Sequence, residues 1–132
     1  MISVDTSVLV RYLVGTPGAP ARRAAALIDD DATEIGISTV ALAECAHVLR
    51  TQYGVTGPDI IEALISLVQR DNVRLLGIRM EPVVEALVRA RSMPGRPIPD
   101  ALIVAASVAT EALPLVTFDG HQGRHGVETR EP

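Results

Sequence analysis

The chain has no lysine and no tryptophan, one phenylalanine (Phe118), two tyrosines (Tyr12 and Tyr53) and one cysteine, Cys45. Each scarcity excludes something. All 12 basic residues are arginine, so chemistry that needs a lysine is ruled out. With so few aromatic side chains, base stacking is not expected to dominate any nucleic-acid binding, and the core is expected to be aliphatic. A single cysteine forms neither an intramolecular disulfide nor a cysteine zinc site; Cys45 falls within a helical apolar pattern and is expected in the core. No apolar run reaches transmembrane length, and no basic leader precedes an apolar stretch, so a cytoplasmic, membrane-free protein is expected. The formal net charge of −4 argues against a broad electrostatic grip on a phosphate backbone.

What is present is an aliphatic chain of 132 residues, 48% hydrophobic, with no internal repeat and no linker. That length suits one domain, 1–132, with a sizeable core. Ile2–Val4 form a short β run ended by Asp5. Thr6 or Ser7 can cap the following helix, on which Val8, Leu9, Tyr12 and Leu13 recur at helical spacing. Pro20 suits the start of a second helix, to about Ile28. Asp29, Asp30 and Asp31 follow; consecutive residues on a helix share no face, so they are a solvated turn rather than ligands. Glu34–Ile37 is the next β run, and Ser38 a good N-cap for a helix through about Tyr53.

On that helix Leu42, Cys45, Ala46, Leu49 and Tyr53 make one stripe, with Glu44 opposite it. Val40 and Val48 flank Glu44 four residues away on either side, an unusual setting for a solvated carboxylate. Gly57-Pro58 opens another helix, to about Arg70, and Val73–Leu76 is a third strand. A helix from Glu81-Pro82 carries Val84, Leu87 and Val88; Ser92–Pro99 is a loop. Pro99-Asp100 then opens a helix apolar on nearly all sides, which marks it as buried. There Asp100 could simply complement the helix N-terminus. Leu115–Thr117 is a fourth strand, followed by Asp119, with Val127–Thr129 a short edge strand. Gly120, Gly123 and Gly126 argue against a helix in the tail, and so against a metal site from His121 and His125 at i, i+4.

The order is strand–helix–helix three times, then a strand, which predicts a parallel sheet with helices on both faces. In such a sheet all strands end on one edge, where Asp5 and Asp119 can converge, joined by Asp100 and Glu44 from adjoining helices. Ligands that are all oxygen favour Mg²⁺ or Mn²⁺ over zinc.

With those four acids in place, the chain resembles the PIN-domain nucleases, and among them the VapC-type toxins of bacterial toxin–antitoxin pairs. The segments that carry the likeness are Val4-Asp5-Thr6-Ser7-Val8-Leu9, Ala41-Leu42-Ala43-Glu44, Pro99-Asp100-Ala101-Leu102-Ile103 and Val116-Thr117-Phe118-Asp119. The resemblance implies a three-layer α/β/α sandwich around a mostly parallel sheet of four to five strands. It implies a Mg²⁺- or Mn²⁺-dependent endoribonuclease acting on transfer or ribosomal RNA, a homodimer, and a cognate antitoxin that blocks the site. Asp5, Glu44, Asp100 and Asp119 would be the acidic metal site, with Ser7 or Thr117 supporting it. Gly120-His121-Gln122-Gly123 is less basic and aromatic than the matching segment of many relatives. Arg11, Arg89, Arg91 and Arg96 are candidate phosphate contacts.

Two other classes open with an aspartate after a hydrophobic strand. Haloacid-dehalogenase-like phosphatases need a second aspartate two residues on and a lysine; receiver domains need a lysine near the last strand. Position 7 is serine and lysine is absent, so neither fits. The remaining alternative is a non-catalytic PIN-like module that binds RNA or a partner protein.

Overall fold

The computed structural model describes residues 1–132. The elements follow the expected order: β1 (Ile2–Ser3), α1 (Thr6–Val14), α2 (Ala19–Ile28), β2 (Ile35–Ile37), α3 (Thr39–Tyr53), α4 (Gly57–Val68), β3 (Val73–Leu75), α5 (Met80–Ala90), α6 (Pro97–Ala109) and β4 (Leu115–Val116). A short 3₁₀ helix (Gln122–His125) and β5 (Thr129–Arg130) close the chain. The chain forms two compact units, Met1–Gly77 and Ile78–Pro132.

In the first unit β1, β2 and β3 form one parallel sheet in that order, with Ile2 beside Ile35 and Ile35 beside Val73. Parallel pairing sends β1 and β2 out at the same edge, so α1 and α3 both start there. Ser38 is the N-cap of α3, its Oγ accepting from the Ala41 N–H at 3.1 Å. Leu42, Cys45, Ala46 and Leu49 are buried on the predicted stripe, while Tyr53, the last residue of the helix, is exposed. The core is aliphatic, built on Leu9, Ile28, Ile35, Ile37, Leu42, Ile60, Ile61, Leu64 and Leu67. The three aspartates after α2 form the expected turn, and they also have a structural use. Asp29 accepts from the Tyr12 hydroxyl at 2.7 Å and pairs with Arg70 at 3.3 Å, while Asp30 binds the Ala32 N–H and the Thr33 hydroxyl.

Cys45 lies fully buried in this core, and burial pushes its thiol up to about 11. The unfolded thiol ionises first, near its ordinary value, so the unfolded state binds fewer protons across this window. Stability from this group is complete below about pH 9 and declines toward pH 11, by about 2–3 kcal/mol. Denaturant melts of the wild type and Cys45→Ala across that range check this: the wild type's decline should be the steeper. Equal slopes would overturn it.

In the second unit α5 packs on α6, and the 3₁₀ helix lies against both. Val83, Ala86, Leu87 and Ala90 form the buried face of α5 rather than Val84 and Val88, a shift of one position around the helix. Helix α6 starts at Pro97, two residues earlier than the sequence suggests, because proline suits a first turn that has no N–H to lose. Nor is α6 buried all round: Ile103 is 50% exposed. The strands β4 and β5 pair in parallel, Leu115 beside Thr129.

The tail also differs from expectation. A 3₁₀ turn forms despite the glycines, because Gly126 closes it at φ +79°. A Cβ at that position would come within 3.0 Å of Arg89 Nε, so glycine serves both the turn and the close approach of the guanidinium.

Candidate metal and nucleic-acid site

Two pairs of acidic side chains each share a cavity, one pair in each unit, and each pair joins a residue just past a strand to one on a helix. In the first unit Asp5 takes the N-cap position of α1, which the sequence assigns to Thr6 or Ser7. Its carboxylate makes no capping hydrogen bond. It lies instead on a cavity of about 370 Å³ shared with Thr6, Ser7, Arg11 and Glu44. Ser7 Oγ reaches Asp5 Oδ2 at 3.5 Å, a weak contact that leaves most of the carboxylate's acceptor capacity free.

Glu44 sits about one and a half turns into α3. Because α1 and α3 leave the same sheet edge and pack together, Thr6 Oγ1 reaches across to donate to Glu44 Oε2 at 3.2 Å. Thr6 is buried and Glu44 is exposed. The expected setting between two valines is therefore not a buried one, since Val40 itself is 65% exposed. What marks Glu44 is a shared cavity with Asp5, not desolvation. The spacing of residues 6 and 44 gives no hint of the Thr6–Glu44 contact; only the parallel pairing of β1 with β2 makes them neighbours.

In the second unit Asp100 and Asp119 line one cleft of about 60 Å³. Asp100 is the fourth residue of α6, past the capping position, and is half-buried. Asp119 follows β4 in a tight turn. Its N–H donates to Thr117 Oγ1 at 3.0 Å, and its Oδ1 accepts from the His121 N–H at 2.8 Å. Those two bonds aim the carboxylate and leave Oδ2 without a protein donor.

Arg96, Arg124, His121, Gln122 and His125 complete the wall of the cleft. The two histidines, set aside from sequence, thus stand beside the acids, brought there by the 3₁₀ turn. Burial pulls the His125 imidazole below its ordinary value, against the opposite pull of the Asp100 carboxylate. Arg124, the nearest guanidinium in sequence, was not among the expected phosphate contacts.

The four expected arginines differ in setting. Arg11 is exposed on the Asp5–Glu44 cavity, and Arg96 is exposed on the Asp100–Asp119 cleft. Arg89 is engaged by backbone, its Nη1 donating to the His125 carbonyl at 3.4 Å. Arg91 is exposed at the C-terminal end of α5.

Within neither unit do three or more His, Cys, Asp or Glu side chains gather into a metal-holding group. Each unit supplies a pair of carboxylates with free oxygens and a hydroxyl alongside, neither pair has a thiolate beside it, and the second cleft adds the His121 and His125 imidazoles and the Met93 thioether. That donor chemistry fits a hard divalent cation such as Mg²⁺ or Mn²⁺, which keeps several waters and takes one or two carboxylates at a time.

No helix is long and apolar enough to cross a membrane. A comparison with curated proteins gives no match. The model of the PIN domain family matches residues 2–127, nearly the whole chain and both of its units. The fold is therefore the α/β fold of that family, whose members are generally metal-dependent nucleases, and this chain belongs to the PIN-domain family.

Proposed function

We propose that the chain, as one PIN domain over residues 1–132, is a Mg²⁺- or Mn²⁺-dependent endoribonuclease of the VapC type, the toxin of a toxin–antitoxin pair. The observation that carries the nuclease reading is the Asp5 carboxylate. It occupies a helix N-cap, where an aspartate ordinarily caps, yet makes no cap and shares a cavity with Glu44. Asp5, Glu44, Asp100 and Asp119 are the residues that would hold the metal. A divalent ion there would polarise the scissile phosphate and acidify a water for in-line attack.

The chain's own groups set up that chemistry. Thr6 donates to Glu44, Ser7 touches Asp5, and the Thr117 turn with the His121 N–H orients Asp119. Arg96 and Arg124 flank the second pair of acids and supply local positive charge that a net −4 chain lacks. Bidentate guanidinium–phosphate pairing then holds the RNA backbone in register.

The toxin reading rests on the four segments that resemble VapC-type proteins. It brings a homodimer, a cytoplasmic location, transfer or ribosomal RNA as substrate, and an antitoxin that blocks the site. A groove of about 480 Å³ in the first unit supports a peptide partner, since Val8, Ala24 and Leu27 line it together with Arg11 and Arg23. An apolar segment with acidic residues would match it.

Purified protein should cleave structured RNA with Mg²⁺ or Mn²⁺ and not in excess EDTA, and Asp100→Asn or Glu44→Gln should lose nearly all activity. Undiminished cleavage in EDTA sinks the metal mechanism. Tight RNA binding without cleavage at any metal concentration would instead favour the non-catalytic module.

A further inference from the structure

Helix α1 has a cavity on each side, and the two differ in chemistry. The groove against α2 is lined by Val8, Ala24 and Leu27. The cavity against α3, of about 370 Å³, is walled by Asp5, Glu44, Arg11, Gln52 and Tyr53. It falls in the size range of small-ligand sites, about 300–1,000 Å³. Tyr53 is the unexpected member. It ends the α3 stripe on which Leu42, Cys45, Ala46 and Leu49 are buried, yet it is 42% exposed. Tyr12 is tied through its hydroxyl to Asp29 and Arg70, and Phe118 belongs to the other unit, so Tyr53 is the open aromatic ring on this cavity.

The Thr6–Glu44 hydrogen bond marks the acidic end of the cavity. From it Arg11 stands five residues along α1 and Tyr53 nine along α3, about 8 Å and about 14 Å at 1.5 Å per residue. Side chains on a helix lean toward its N-terminus, so the guanidinium and the ring both reach back toward the acids. Going outward from the carboxylates, the cavity therefore offers a cation, then an aromatic face with an amide beside it. Those are the groups that hold a phosphate, stack on a base and hydrogen-bond a base edge.

We propose, on the reading that this chain cleaves RNA, that the α1–α3 cavity is a nucleoside subsite in which Tyr53 stacks on the base of an unpaired nucleotide flanking the scissile phosphate. An apolar peptide segment is better matched by the groove on the other side of α1. Stacking tolerates every base, so the subsite selects an unpaired nucleotide rather than one base identity. A single ring serves one base, in keeping with a chain so poor in aromatics.

The test compares wild type with Tyr53→Ala and with Tyr53→Phe, which keeps the ring. Tyr53 is the last residue of α3 and partly exposed, so its truncation spares the core. Each protein is assayed on a short single-stranded RNA and on versions with one abasic nucleotide at successive positions. For the wild type, one abasic position beside the cut should raise KM by about tenfold or more. Tyr53→Ala should raise KM for the intact RNA by a similar factor, change kcat less, and ignore that abasic position, while Tyr53→Phe should match the wild type. In parallel, tyrosine-labelled Glu44→Gln, expected to bind without cutting, is titrated with the RNA in Mg²⁺. The Tyr53 ring-proton signal, identified by its loss on Tyr53→Phe, should move upfield with intact RNA and much less with the abasic one.

A wild-type KM in Tyr53→Ala overturns the proposal, as does an abasic penalty that survives in that variant; both leave the nuclease reading intact. A loss in Tyr53→Phe equal to that in Tyr53→Ala also overturns it, because the hydroxyl and not the ring would then carry the contact. If Tyr53→Ala does not fold, the ring signal decides, and a ring that ignores RNA overturns the subsite. A wild type that neither cuts nor binds RNA overturns both readings.

Discussion

Asp5→Asn should lower RNA cleavage by more than about a hundredfold, beyond what loss of a mere supporting partner of a metal ligand costs, while leaving the metal-free fold unchanged or slightly stabilised. The two halves of that expectation come from the same geometry. Asparagine is as good an N-cap residue as aspartate, and the Asp5 carboxylate makes no cap to lose. Removing its charge forfeits an attraction to the α1 N-terminus and relieves repulsion from Glu44 across the shared cavity. Asp5 is exposed, so screening keeps each of these terms under about 1 kcal/mol. Mg²⁺ should separate the proteins. Binding to the folded wild type adds about 2.7 kcal/mol at a hundred times its dissociation constant, and the variant should gain much less. Denaturant melts in EDTA and in Mg²⁺, beside cleavage assays, check every part. A variant markedly less stable than wild type in EDTA would make Asp5 structural and remove the central support of the proposed metal site.

The largest loss of stability should come from Asn72→Ala, at about 2–4 kcal/mol. Asn72 is 6% exposed at the start of β3. Its Nδ2 donates to the carbonyls of Ile28 at 2.8 Å, Thr33 at 3.2 Å and Asp30 at 3.3 Å, and its Oδ1 accepts from Arg70 Nε at 3.3 Å. The Asn72 carbonyl also accepts from the Ile35 N–H at 2.7 Å. One amide therefore ties the end of α2 and the following turn to the start of β2 and β3. Alanine keeps the backbone bond but takes the amide donor from the Thr33 carbonyl and one of two donors from the Ile28 and Asp30 carbonyls, which retain Arg70 Nη2 and the Thr33 N–H. It also leaves Arg70 Nε without its acceptor, and such losses at a buried site are costly. Because β2 leads directly into Ser38 and α3, the same knot sets where Glu44 stands. Urea unfolding measures the loss. Asp31→Asn, which touches only the long 3.9 Å pair with Arg70 at an exposed site, should stay within about 0.5 kcal/mol of wild type. A similarly small change for Asn72→Ala would show that water replaces the amide.

The sequence by itself determined the order of elements, because each signal is local. Ser38 caps α3 through a neighbour three residues on, Gly57-Pro58 starts α4, and the aliphatic periods of α3 and α4 mark their inner faces. It also singled out the four acids from local signals: Asp5 and Asp119 just past β runs, Glu44 between two valines on its helix and Asp100 in the first turn of an apolar helix. Other features needed contacts between residues far apart in the chain. Thr6 meets Glu44 only because β1 and β2 pair in parallel and send α1 and α3 from one edge. His125 joins Asp100 and Asp119 only because the tail folds into a 3₁₀ turn against α5 and α6, a turn whose glycines read locally as helix-breaking. The exposure of Ile103 on an otherwise apolar helix was equally hidden, because hydrophobic pattern records what a side chain prefers, not whether another surface is there to cover it. Local propensity is written residue by residue; the meeting of side chains 38 or 25 positions apart is a property of topology.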